Sequence, residues 1–250
     1  NHGGNDFINI FPHQQYCLKY GGEHDDVAPF VINQHRNGLM TPWGFNYQND
    51  IPQLTEEDYV SSRYILRPLR LWDCDRPVNA AGAYLFTTGE RAKDAKQTPV
   101  YVLNHSQHNF KFKTTQPTLD EIEMWTDIAA SRMYEGAGLK AADVDIFNPY
   151  DGYSIMAQFF LEGFQWHGVK RGDAFDFYAG DIRVEGPHPL CSSGGNLGSG
   201  RTRTAMYTDS IEQLRGTAGE RQVSTRAETA LAAFTTPSSG GWIMLGKNAD

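Results

Sequence analysis

Tyr150, Asp151 and Arg201 are side chains whose types and settings can move a proton or hold charge at one place. Tyr150-Asp151-Gly152 follows the short apolar run Val144 to Phe147. That run reads as a strand, which puts Asn148, Tyr150 and Asp151 just past its carboxyl end, the edge where open α/β sheets bind ligands. A second bend reads Cys191-Ser-Ser193-Gly194-Gly195-Asn-Leu-Gly-Ser-Gly200-Arg201-Thr-Arg203. Its glycines can turn backbone N–H groups toward an anion or a developing oxyanion.

Each candidate has a plainer alternative. Asp151 is either a general base or a loop-capping carboxylate, the commoner task of an Asp before Gly. His188, between two prolines, is a turn residue or, being near the glycine bend, a site residue. His105-Ser-Gln-His108 has helical metal-pair spacing but runs from a strand into a polar stretch with no third ligand nearby, which favours a solvated loop pair. Gly195 to Thr202 has phosphate-loop spacing with Arg201 in place of the required Lys, and no strong apolar strand precedes it, so nucleotide hydrolysis is set aside. The Gly-x-Ser-x-Gly nucleophile elbow is missing.

The composition narrows the setting. With 40 % hydrophobic residues, 250 residues can bury a sizeable core. Twenty-two basic against 30 acidic residues give a net charge of −8, without the Lys/Arg clusters of a nucleic-acid binder. The chain holds no apolar run of membrane-span length and no signal-peptide pattern. Its three cysteines, Cys17, Cys74 and Cys191, form no disulfide framework and no zinc-site spacing. A cytoplasmic protein with no metal is the expectation, with an N-terminus that is processed, truncated or incomplete.

The elements that position the candidates follow from pattern. Residues 1–54 are punctuated by Phe11-Pro12, Gly21-Gly22, Thr41-Pro42 and Ile51-Pro52. They read as an irregular, aromatic-rich loop region, either a surface loop or a lining for substrate. Thr55 with Asp58, and Thr118 with Glu121, mark capped helix starts. Strands are expected at 82–88 and 100–103, and the second capped helix should end at Gly136 or Gly138. Ile155, Phe159, Phe160 and Phe164 keep helical spacing, residues 202–215 form a helix closed by Gly216, and 228–234 pairs with 242–245. The class is layered α/β.

On these residues the chain resembles the thiolase superfamily, and within it the thiolase-like lipid-transfer and steroid side-chain aldolase branch. The stretches that carry the resemblance are Val31-Ile-Asn33-Gln-His-Arg36-Asn37, Leu54-Thr-Glu-Glu-Asp-Tyr59, Arg67-Pro-Leu69, Asp73-Cys-Asp75 with Pro77-Val78, Thr88-Gly-Glu-Arg-Ala92, Tyr150-Asp-Gly-Tyr-Ser154, Ser193-Gly-Gly-Asn-Leu197 and Leu214-Arg-Gly-Thr-Ala218. The resemblance implies an α/β/α/β/α fold whose first half is incomplete here. Residues 1–80 would hold the loop region and the end of that half, and 81–250 its last strand plus the C-terminal half.

Thiolases use a Cys nucleophile, a Gly-His-Pro histidine and a second Cys. Here the histidine position reads Gly200-Arg201-Thr202, and the final segment, Phe234-Thr-Thr-Pro-Ser-Ser-Gly-Gly, has no Cys. Arg stays charged and cannot serve as an acid/base. The steroid aldolases instead cleave a β-hydroxyacyl-CoA by retro-aldol chemistry. Their tyrosine carries over to Tyr150, while the second tyrosine they often have at the histidine position is Arg201 here.

The resemblance therefore implies a retro-aldol lyase. Tyr150, Arg201 and Asp151 would be catalytic, and Asn148, Ser193, Gly194, Gly195 and His188 would face the substrate. Coenzyme A enters as part of the substrate, with no other cofactor. Arg201 and the N–H groups around Gly194 and Gly195 would stabilise an enolate. The plainer alternatives are that Tyr150 only hydrogen-bonds a loop and that Arg201 only pairs with Asp151. An acyltransferase with its nucleophile outside this segment and a non-catalytic acyl-CoA carrier are the competing functions. The implied partners are a second copy of the chain and a small protein with an OB-fold and a zinc ribbon.

Overall fold

The structure, a computed structural model, describes residues 5–111, 116–234 and 236–249, and side chains from residue 10 onward. The Asn1-His-Gly-Gly start and Thr235 of the expected turn lie outside the described residues. In chain order the elements are α1 (Asn5–Tyr20), α2 (Ala28–Leu39), α3 (Phe45–Gln48), α4 (Glu56–Ser61), β1 (Tyr64–Leu66), β2 (Leu69–Arg70), α5 (Gly89–Ala92), β3 (Tyr101–Asn109) and α6 (Leu119–Ala137). Then come β4 (Ile146–Asn148), α7 (Ser154–Gly163), α8 (Ala174–Ala179), α9 (Gly195–Ser199), α10 (Ala205–Arg215), β5 (Thr229–Ala233) and β6 (Ser239–Gly246).

The core sheet has the order β3-β6-β5-β4. β6 is antiparallel to both β3 and β5, while β4 runs parallel to β5. Alternation along the strands sends residues to opposite faces. Phe147, Leu231, Trp242 and Met244 join Phe160 of α7, Phe164 just past its end, and Ala129 and Met133 of α6. Ile146, Ala230 and Leu245 meet Leu214 of α10, with Val223 and Ala227. Helices thus cover both faces, and β1 and β2 form a separate antiparallel hairpin. The expected α/β class holds. Among the described residues, no helix is long and apolar enough to cross a membrane.

Local signals predicted the caps well. Thr55 accepts from Asp58 N at 3.1 Å and Thr118 from Glu121 N at 3.3 Å. Gly138 and Gly216 end α6 and α10 in the left-handed conformation, which glycine adopts without a Cβ penalty.

Three expectations are corrected. The irregular N-terminal loop region is largely helical, as α1 and α2. Pro12 lies inside α1, and the hydrogen bond it forgoes is offset by packing of Tyr16 against Phe159 and Phe175. In α2 the buried face is apolar at Phe30 and Val31 but polar from Asn33 to Asn37, so apolar spacing does not trace the whole helix. Asn33 bonds Ile182 O at 3.3 Å, Asn37 bonds Cys191 O at 3.2 Å, and Gln34 bonds Asp151 at 2.8 Å.

Second, residues 82–88 form no strand. Leu85 and Phe86 are 94 % and 72 % exposed, so their apolar character is not spent on the core described here. Third, His105 and His108 sit on β3 rather than in a loop. An odd offset on a strand points them to opposite faces, and buried His108 faces Pro237 O at 3.3 Å.

Candidate active site

Three chain segments meet beyond the end of β4. The first is Tyr150 to Tyr153, the second Asp73 to Pro77, and the third Gly200 to Arg203. Asp75 N donates to Gly152 O at 3.1 Å, and Cys74 bridges Tyr153 in antiparallel fashion, so the second segment lies along the first. Arg201 N donates to Arg76 O at 2.8 Å, which joins the third.

The Tyr150 ring folds back over Gly152. A Cβ at Gly152 would collide with the phenol ring and its hydroxyl, which is the physical reason for Gly after Tyr-Asp. Tyr150 is buried. Burial and the nearby Asp75 carboxylate push its phenol up to about 12, opposed by the Arg203 and Arg201 guanidiniums. It is a neutral hydrogen-bonding group at ordinary pH, and the neighbouring cations do not bring it down into the range of a resident phenolate base.

Arg201 pairs with Asp75, not with Asp151. Its Nε donates to Asp75 Oδ1 at 2.7 Å, and NH2 reaches the same oxygen. The hydrogen bond to Asp75 raises the guanidinium above its usual range. Asp75 is the residue that type and spacing did not single out: nothing local in the sequence connects it to Tyr150 or Arg201.

Asp151 is fully buried. It accepts from Asn196 N at 2.6 Å, Leu197 N at 3.4 Å and Gln34 Nε2 at 2.8 Å. The capping alternative describes these contacts, since the carboxyl holds the N-terminus of α9 against α2. Burial pushes it up to about 7, against the pull of those three donors.

The glycines of this bend serve the same close contact. A Cβ on Gly198 would strike Gln34 O, and one on Gly38 would strike the Gly198 backbone. Gly194 N donates to Cys191 O at 2.8 Å, and a Cβ on Gly195 would run into the Asp151 carboxyl. The N–H groups of Asn196 and Leu197 are thus already directed at Asp151.

The other predicted positions lie around this centre. Asn148 is buried and donates to Asp209 at 3.0 Å and Ser210 at 2.9 Å, tying β4 to α10. Ser193 is buried, and its carbonyl accepts from Thr41 and Ser199. His188 packs elsewhere, against His167 and Phe177 with ring centroids 4.5 and 5.5 Å away. Cys191 is fully buried, and burial pushes its thiol well up, so it is not an activated thiolate. Among the described residues, no group of three or more His, Cys, Asp or Glu could hold a metal ion.

Next to Arg201 opens a cavity of about 360 Å³, lined by Trp43, Phe45, Pro77 and Val78 together with the polar Gln48 and Thr202. The arrangement supplies a fixed cation, a buried carboxylate holding it, a neutral phenol and an adjoining open cavity of mixed lining.

The family described as Thiolase C-terminal domain-like matches residues 111–244. A 17-hydroxy-3-oxo-4-pregnene-20-carboxyl-CoA lyase of Mycobacterium tuberculosis is 29 % identical over 235 residues, 91 % of this chain and 59 % of that protein. An acetyl-CoA acetyltransferase of Methanothermobacter thermautotrophicus is 28 % identical over 218 residues, 84 % of this chain and 55 % of that protein. The chain therefore spans a little over half the length of these curated relatives. Among solved structures, the Ltp2-ChsH2(DUF35) aldolase superposes with a TM-score of 0.81 at 21 % identity, covering 98 % of this chain and 64 % of that one.

Proposed function

The chain belongs to the thiolase C-terminal domain-like family, with the thiolase-like layered α/β fold, and on that footing we propose that it forms part of a carbon–carbon lyase. The reaction is retro-aldol cleavage of a β-hydroxyacyl-CoA thioester of a steroid or other lipid-like acid. One observation carries the reading. Arg201, which the resemblance matches to the thiolase histidine, is locked to Asp75 and lies beside the neutral Tyr150 phenol. Similarity to the Mycobacterium tuberculosis lyase supports it.

Retro-aldol cleavage needs a proton acceptor for the β-hydroxyl and a cation for the enolate, with no covalent nucleophile. Tyr150 takes the substrate's hydroxyl proton while passing its own toward the Asp75 carboxylate. The Cα–Cβ bond breaks, the β-carbon becomes a carbonyl, and the electron pair moves onto the thioester as an enolate. Arg201 holds the enolate oxygen. A proton returned to the α-carbon releases the shorter acyl-CoA. Asp151 positions α9 and takes no part in proton transfer. Coenzyme A arrives within the substrate, and the steps as written draw on no other cofactor.

The same reading assigns the whole protein to the cytoplasm, as a homodimer with a small OB-fold and zinc-ribbon partner. Incubating the full assembly with a β-hydroxyacyl-CoA and following release of a ketone or aldehyde plus a short acyl-CoA tests it. Absence of both products, with the partner supplied, would sink the proposal. The similarity to an acetyl-CoA acetyltransferase favours one competing reading, an acyltransferase whose nucleophile lies outside this segment. A covalent acyl-enzyme, seen as a mass increase after adding acyl-CoA, would establish that one instead.

A further inference from the structure

In the steps above Asp75 accepts a proton from Tyr150 and fixes Arg201, so its place along the Tyr150 segment matters. It lies in an extended stretch joined to that segment by one antiparallel bridge, Cys74 to Tyr153, and by the bond from Asp75 N to Gly152 O at 3.1 Å. So short a ladder holds its register weakly, and a slip of one residue turns every side chain to the other face. Such a slip would carry the Asp75 carboxylate away from both Tyr150 and Arg201.

The fully buried Asp73 carboxylate supplies a second tie. Ser154 Oγ donates to its Oδ1 at 2.7 Å, so residues 73–75 are fastened to residues 152–154 at both ends. The carboxylate is itself braced from the far side, where His24 Nε2 meets Oδ2 at 2.8 Å. A carboxylate only accepts, so the proton of this bond sits on His24 Nε2. The other nitrogen of that ring, Nδ1, faces His13 Nε2 at 3.0 Å. Burial lowers His13 to about 3, which keeps it a neutral partner, and the His24 ring is held between that partner and Asp73.

Neither His24 nor Ser154 has a task in the proposed steps. Resting on the proposed lyase reading, we propose that both are positioning residues: through Asp73 they lock the register that keeps Asp75 against Tyr150 and Arg201. Asp75 accepts its proton and Arg201 meets an enolate only as the Cα–Cβ bond breaks. A loosened register therefore lowers kcat and leaves KM in place.

Ser154→Ala removes the tie and His24→Ala removes the brace. Each is expected to lower kcat for β-hydroxyacyl-CoA cleavage by the full assembly about tenfold or more, with KM moving less than about twofold. His24→Gln places an amide N–H near the position of Nε2 and is expected to restore most of the rate. The Nε–H signal of Arg201 in a proton–nitrogen correlation spectrum, assigned by its loss in Arg201→Lys, reports the contact with Asp75 without turnover. It should shift in both Ala variants and return in His24→Gln. A signal that stays in place in both Ala variants overturns the lock, whatever the rate does, and a His24→Gln no better than His24→Ala removes His24 from it. Thermal unfolding identifies a variant that fails to fold, and Ser154→Ala decides the matter should His24→Ala be one. A parent without lyase turnover whose Arg201 signal moves as expected in the variants would defeat the proposed reaction and leave the lock standing. Turnover in the parent with an unmoved signal would do the reverse.

Discussion

The Arg201 guanidinium donates to the Asp75 carboxylate at 2.7 Å across a sequence separation of 126. The Asp75 side chain is 1 % exposed and that of Arg201 is 28 % exposed, so the cation holds an interior anion while reaching outward itself. Arg201→Met would strand that carboxylate and should lower the unfolding free energy by about 3 kcal/mol in urea titrations. Arg201→Lys keeps the charge and loses the planar fork, for a loss of about 1 kcal/mol. Equal losses would assign the whole effect to the fork geometry.

Tyr150 offers a kinetic test. Its phenol is pushed up to about 12 by burial and by Asp75, so no alkaline limb from its ionisation should appear in the kcat profile below about pH 10. Tyr150→Phe should lower kcat about 100-fold with little change in KM. Cleavage at the parent rate would remove Tyr150 from the chemistry.

Gly152 and Tyr150 are sterically coupled. Adding a Cβ at Gly152 drives it into the phenol ring, so Gly152→Ala should cost about 2 kcal/mol of stability. The double variant with Tyr150→Ala should cost less than the sum of the two single changes, because the clash is gone. Additive losses in a denaturation cycle would show that the two positions do not share this contact.

The Asp151 carboxyl, raised to about 7 by burial, links stability to pH. Between about pH 4 and pH 7 the unfolded chain has released this proton while the folded chain retains it, so raising the pH favours unfolding. The unfolding free energy of the parent minus that of Asp151→Asn should fall by up to about 1.4 kcal/mol per pH unit in that window and level off above it. His13 and His35, which burial lowers to about 3 and about 4, act in the opposite sense, their neutral forms gaining stability as pH rises toward 6.5. They cancel in the difference. A difference that stays flat or rises would put the Asp151 carboxyl back in the ordinary range.

Asp73, fully buried, is a structural hub. Its carboxylate accepts from Tyr59 OH at 2.8 Å, Ser154 Oγ at 2.7 Å and Arg70 N at 2.6 Å, and pairs with His24 Nε2 at 2.8 Å. It joins α4, β2 and the start of α7. Asp73→Ala orphans all of these groups and should cost about 4 kcal/mol by denaturant unfolding. A loss under about 1 kcal/mol would show that the network contributes little.

Sequence patterns reached the parts of this protein that are governed over three or four residues. The caps at Thr55, Thr118, Gly138 and Gly216, the apolar face of α7 and the β5–β6 pair all follow from side chains acting on their own backbone or repeating along one element. The same local reading missed α2, because beyond Phe30 and Val31 its buried face is polar and is satisfied by carbonyls far along the chain. It also expected a strand at 82–88, where apolar composition has no described sheet to join.

What the sequence determined by itself was the α/β class and the placing of Tyr150 beyond a strand end; the match of Arg201 to a thiolase histidine came only through the resemblance. Tertiary structure alone decided that Arg201 meets Asp75, that Asp151 turns inward to α9, and that Trp43 and Phe45 wall a cavity beside the candidate site. Residue type limits what a side chain can do chemically. Which charges and rings become neighbours across more than a hundred residues depends on how the layers pack, and no local spacing encodes that.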